Sequence, residues 1–225
     1  MERTGKPAEK ISQSEEEKMS QIVVSVNQVT KRFGKELILD HVSLRAEKGR
    51  ICGIIGRNGS GKTVLFKCIC GLLEADSGSI ETDRSQIGTI IEAPGFLKFY
   101  SAEKNLRYLA SLNGRQKDID YASVLKMVGL SDVGKKRVGK FSMGMRQRLG
   151  IAQAIMEDQS ILILDEPMNG LDNRGVEEMR SLFLSLRSQG KTILIASHNR
   201  EDIEVLCDEV YEMDRGVLRS VSKGA

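Results

Sequence analysis

The chain has 225 residues, 40% of them apolar, enough for one sizeable core or for one domain with a smaller lobe. Its net charge of +3 is nearly balanced and only 4% of its residues are aromatic, with no Trp, so the composition argues against nucleic acid as a partner. The four cysteines, Cys52, Cys68, Cys70 and Cys207, lack metal-ligand spacing and have apolar neighbours, which reads as reduced, buried thiols in a reducing compartment.

Residues 1–20 mix Glu and Lys without an apolar stretch, so they read as a solvated, disordered polar tail and not as a signal peptide. No later stretch approaches the ~18 consecutive apolar residues of a membrane helix, so a membrane role requires another chain to do the crossing. From Ile22 to Ala46 the pattern is strand-like, with alternation over Val42 to Ala46, which predicts a small antiparallel lobe. Three short apolar runs follow, Arg50 to Gly56, Ser160 to Asp165 and Lys191 to Ser197; each fits a strand buried on both faces of a parallel sheet. Val64 to Leu73 and Gly175 to Ser188 are helical in pattern, the second stopped by Gly190. Ser101 to about Lys136 reads as a helical insert between the first and second parallel strands, with Leu106, Leu109, Val124, Leu125 and Val128 as its apolar face. Strands alternating with helices predict an α/β fold with its site at the carboxyl ends of the strands.

The first run ends in Gly56, Arg57, Asn58, Gly59, Ser60, Gly61, Lys62 and Thr63, which match G-x-x-x-x-G-K-[ST] between a strand and a helix. Glycines let successive backbone N–H groups point inward, and the helix N-terminus adds positive potential, so the loop suits phosphate. Lys62 is expected at the β- and γ-phosphates of ATP and the Thr63 hydroxyl on Mg²⁺. The second run delivers Asp165 and Glu166 where a buried strand emerges, the first suited to the metal shell and the second to taking a proton from water.

Phe141-Ser-Met-Gly-Met-Arg-Gln-Arg148 resembles the signature sequence of ABC transporter ATPases, usually Leu-Ser-Gly-Gly-Gln-x-Gln-Arg. Asn169 to Asp172 resembles the D-loop of that family, Ser197-His198 its switch histidine, and Phe33 the aromatic that stacks on adenine. The resemblance covers about residues 21 to 223, with the motifs in the family's order. It implies a P-loop NTPase with a mainly parallel core sheet, an N-terminal antiparallel β lobe and an inserted helical subdomain at about residues 93–150, all within a nucleotide-binding domain of residues 21–225. It also implies head-to-tail closure of two such domains, identical or paralogous, in which Ser142 and Gly144 of one complete the phosphate pocket of the other. His198 then contacts the γ-phosphate and Asp172 links the two sites. The expected setting is cytoplasmic, peripheral on the inner face of the cell membrane, powering separate transmembrane permease subunits.

Four positions depart from the family pattern. Glu92 stands where most members have a glutamine at the metal and water, a variant that resembles the lantibiotic-immunity and bacitracin-resistance exporters and so suggests a peptide antibiotic as cargo. A carboxylate there can bind the metal or repel the phosphate. Met143 and Met145 replace a Gly and the signature Gln, which predicts weaker closure, and Val64 removes a hydroxyl expected at the α-phosphate. Phe96, Phe99 and Tyr100 form an aromatic cluster that is either core or a docking patch for a membrane subunit. The cluster Lys135, Lys136, Arg137 and Lys140 is a solvated face or a phosphate attractor. Two other functions stay open: an ABC ATPase outside transport, and a module that binds nucleotide but hydrolyses it weakly.

Overall fold

The computed structural model describes residues 22–92, 95–114 and 119–221; the expected tail and residues 93–94 at the start of the expected insert lie outside the described residues. Strands β1 (Ile22–Phe33) and β2 (Glu36–Glu47) pair antiparallel, with Val26 opposite Leu44. β3 (Ile51–Ile55) leads into helix α1 (Lys62–Ile69), and β4 (Ser77–Thr82) returns to the other edge of β1, giving a three-stranded sheet in the order β2-β1-β4. β5 (Ile87–Ile90) is followed by α2 (Ala102–Leu112), α3 (Tyr121–Met127) and α4 (Met143–Ile155) before β6 (Ile161–Asp165). The remainder is α5 (Asn173–Ser188), β7 (Thr192–Ser197), α6 (Arg200–Leu206), β8 (Glu209–Asp214) and β9 (Val217–Val221). The second sheet has six strands in the order β5-β6-β7-β3-β8-β9, parallel except for β9.

The three apolar runs became adjacent central strands, β6, β7 and β3, because only they bury side chains on both faces. Ile51 and Ile55 of β3, Leu162 and Leu164 of β6, and Ile193 and Ile195 of β7 join the core shared with the inserted helices. Their alternates, Cys52, Ile54, Ile161, Ile163, Leu194 and Ala196, pack with α1 and the antiparallel sheet. Cys52, Cys68 and Cys207 are buried, and Cys70 is half-buried. Parallel register places Ile55 beside Ser197 and Asp165 beside Ala196, so Gly56, Glu166 and His198 emerge along one edge.

Sequence patterning missed four strands, β4, β5, β8 and β9, and with them the true position of the insert. The helices follow β5, not β3 directly. β5 hides because Gly88 and Thr89 interrupt its apolar pattern. The glycine is required by close approach: a Cβ there would collide with the backbone carbonyl of Ala154 in α4. β8 alternates poorly because Glu209, Glu212 and Asp214 face solvent or the site edge. Helices α4 and α5 also begin earlier than their apolar patterns, since Ser142 accepts from Met145 N at 3.2 Å and Asp172 from Gly175 N at 2.8 Å. Of the insert's expected apolar face, Leu106, Val124, Leu125 and Val128 are buried and Leu109 packs against them.

Because α4 lies directly on β5, Gly88→Ala should destabilise the fold by about 1–3 kcal/mol. Thermal unfolding checks this; a melting temperature within about 1 °C of wild type would contradict the contact.

Candidate functional site

The site grows from the end of β3. Gly59 (φ +80°) and Gly61 (φ +113°) occupy left-handed backbone regions that side chains resist. At Gly61 a Cβ would also press on Ile38 O at 3.0 Å. The loop is fastened from outside, with Gly216 N donating to Ser60 O at 3.0 Å. Gly61 gives α1 no side-chain cap, so the first-turn N–H groups of the helix are left for a ligand.

Lys62 and Thr63 open α1 and point in different directions. The Lys62 ammonium, 6% exposed, donates to Gly56 O at 2.7 Å and Arg57 O at 3.2 Å, and lies 3.7 Å from Glu166 Oε1. The Thr63 hydroxyl donates to Asp165 Oδ2 at 2.6 Å. Burial raises the Asp165 pKa, opposed by the Thr63 hydrogen bond and reinforced by the charges of Glu166 and Glu92. Three buried oxygens here have no hydrogen-bond partner: Asp165 Oδ1, Glu166 Oε1 and Ser60 Oγ. Orphaned polar atoms of this kind call for a partner the protein itself does not supply.

Glu166 follows Asp165 in a left-handed conformation (φ +48°), which turns its carboxylate towards β7. Its Oε2 pairs with His198 Nδ1 at 2.8 Å, with Ser197 Oγ at 3.5 Å. A cavity of about 450 Å³ runs along this edge, lined by Phe33, Glu36, Ile38, Asn58 to Val64, Asp165 and Glu166. Phe33, 50% exposed, contributes its ring to that lining. On the other side of the loop, a cleft of about 820 Å³ is bounded by Gly56, Arg57, Asn58, His198, Arg200 and the β8–β9 segment.

The structure therefore brings together Phe33, the loop from Gly56 to Val64, Asp165, Glu166 and His198. Glu92 is turned elsewhere: its Oε1 accepts from Lys67 Nζ at 2.7 Å, and no bond to Thr63 or Asp165 is formed. Ser142, Gly144 and Asp172 line no part of the cavity. They sit together instead, where α4 begins against the loop before α5; a Cβ on Gly144 would meet Gly170 O at 2.8 Å, and Met143 lies over Gly170. Met143 is 57% exposed.

Two residues within the signature stretch have structural roles that the motif match did not reveal. Gln147 donates to Glu166 O at 3.2 Å and Pro167 O at 3.1 Å, tying α4 to the end of β6. Arg148 donates to Val128 O and to Glu178, joining the inserted helices to α5. The aromatic cluster is split: Phe96 packs against the core, whereas Phe99 is 81% and Tyr100 44% exposed.

Known proteins match this arrangement. The family profile described as ABC transporter matches residues 39–169. The bacitracin transport ATP-binding protein BcrA of Bacillus licheniformis is 40% identical over 208 residues, covering 87% of this chain and 68% of the relative. The lantibiotic transport ATP-binding protein SrtF of Streptococcus pyogenes is 38% identical, covering 83% of this chain and 84% of the relative. Among solved structures, an ATP-binding cassette in a dimeric post-hydrolysis state with ADP and Pi superposes with a TM-score of 0.79 at 23% identity, covering 90% of this chain and 100% of that one; this likeness is one of fold. With a loop shaped for phosphate, an acidic strand end beside it and a family match over more than half its length, the chain belongs to the ABC transporter family, as one of its ATP-binding proteins.

Proposed function

We propose that the chain hydrolyses ATP at the Gly56–Thr63 loop and that the observation carrying this reading is the Glu166 carboxylate, one oxygen held by His198 and the other facing Lys62 without a hydrogen bond. In this reading the adenine lies on Phe33, and the phosphates are wrapped by the backbone of Gly56, Arg57, Asn58, Gly59, Ser60 and Gly61. Val64 contributes its backbone N–H alone. Lys62 exchanges its two loop carbonyls for the β- and γ-phosphate oxygens, a short movement within an already buried setting. Glu166 holds the attacking water through Oε1 and takes up its proton, while His198 orients the carboxylate and reaches the γ-phosphate.

Thr63 Oγ1 and the orphaned Asp165 Oδ1 are the donors that fit Mg²⁺, hard oxygen atoms at the mouth of the loop. When bound there, Mg²⁺ neutralises charge on the β- and γ-phosphates. The Glu166→Gln variant should retain ATP binding and lose turnover by at least about 100-fold, the scale of a positioned general base. Steady-state ATPase and ATP affinity measured together check this; equal turnover in the two proteins would remove Glu166 from the chemistry.

Ser142 and Asp172 are exposed, with Gly144 half-buried between α4 and the loop before α5, away from the phosphate cavity, which supports their use by a second nucleotide-binding domain. The cap of α4 is formed and its helix N-terminus faces outward, a shape suited to the γ-phosphate held by the other copy. Closure would exclude water from both sites and opening would follow hydrolysis. Residues 21–225 then act as one nucleotide-binding domain, with the segment between β5 and β6, about residues 93–150, as its helical subdomain.

Among the described residues no helix is long and apolar enough to cross a membrane, and we assign the crossing to separate permease subunits. The exposed Phe99 and Tyr100, on the segment leading into α2, support docking of such a subunit, with the chain on the cytoplasmic face of the membrane. The names of BcrA and SrtF, given to bacitracin and lantibiotic transport, support export of a peptide antibiotic. Light scattering tests the closure step. With ATP and the Glu166→Gln background, the protein should be dimeric, and adding Ser142→Arg should leave it monomeric with ATP binding retained. A dimer that survives Ser142→Arg would contradict the assignment.

A further inference from the structure

Three carboxylates, Asp165, Glu166 and Glu92, surround a loop that must receive a polyanion. Asp165 is restrained by Thr63 and Glu166 by His198 and Lys62. Glu92 is the odd one: it lies two residues after the end of β5, its backbone is left-handed (φ +64°), and its side chain is 64% exposed. Its charge reaches the site, since it contributes to raising the Asp165 pKa. What meets it is Lys67, on α1 four residues after Thr63 and hence on the same side of the helix. The ammonium-to-carboxylate distance is 2.7 Å.

We propose that Lys67 is a positioning residue, holding the Glu92 carboxylate on the flank of α1 and offsetting part of its charge so that the phosphate loop keeps its attraction for a nucleoside triphosphate. The proposal rests on the reading of Gly56–Thr63 as the phosphate site. While Lys67 holds it, the Glu92 carboxylate bonds to neither Thr63 nor Asp165 and has a cation beside it; without Lys67, its negative charge would stand near Asp165 and Glu166 with Lys62 left to offset all three. The bond also joins the helix that opens the phosphate loop to the segment leading into Phe99 and Tyr100, so the same contact spans two parts of the molecule. Lys67 has a second physical role to separate from this one, because it lies in the last turn of α1, where a cation favours the helix dipole.

Binding of ATP without divalent metal, in EDTA and low salt, separates the two. Lys67→Met should weaken it about three- to tenfold, the scale of one unscreened charge near a surface, and the loss should shrink in high salt. Lys67→Arg should bind as wild type. Glu92→Gln and the double variant Lys67→Met/Glu92→Gln should both bind within about twofold of wild type, because with the carboxylate gone Lys67 has nothing to hold. An equal loss from Lys67→Met with and without Glu92→Gln would overturn the proposal, as would wild-type binding by Lys67→Met alone. Lys62→Ala serves as the control on the site: it should abolish binding, and wild-type affinity in that variant would instead refute the phosphate loop itself.

Discussion

The hydrogen bond from Thr63 to Asp165 joins the two elements on which the site depends. It ties the first turn of α1 to the carboxyl end of β6 at 2.6 Å, across a gap of more than a hundred residues in sequence. Every other placement follows from that junction. Lys62, one residue before, is directed into the loop; Glu166, one residue after, is turned to His198. The parallel pairing of β3, β6 and β7 makes the junction possible, because it lets three strands end along one edge with their polar successors side by side.

The same junction explains the electrostatics. A carboxylate buried with one oxygen unpartnered is costly to ionise, and Asp165 responds with a raised pKa. Around it the protein keeps the rest of the charge near balance. Lys62 lies against Glu166 and Lys67 holds Glu92. The second cluster of signature residues, at the start of α4 and α5, is built from caps and close glycine packing. This difference fits one face that holds a nucleotide and another that is brought to it.

Much of this was legible in the sequence because buried parallel strands write themselves as uninterrupted apolar runs, and because phosphate loops require glycine where the backbone is left-handed. Gly59 and Gly61 are there for that reason, and the runs at β3, β6 and β7 became the centre of the sheet. The strands that escaped are those whose environment is mixed. β5 carries a glycine forced by the approach of α4, and β8 and β9 lie towards an edge with polar side chains. Side-chain partnerships were beyond reach for a different reason: nothing in the spacing of Lys67 and Glu92, or of Gln147 and Pro167, says that they meet. The aromatic cluster divided because Phe96 faces the inserted helices while Phe99 and Tyr100 turn away from them.

The most direct test of the central junction is the Mg²⁺ dependence of ATP affinity in wild type and Asp165→Asn, followed by titration calorimetry. The account predicts that Mg²⁺ tightens ATP binding to wild type by about tenfold or more and leaves Asp165→Asn nearly indifferent to the metal, with metal-free binding preserved. An identical Mg²⁺ response in the two proteins would contradict it.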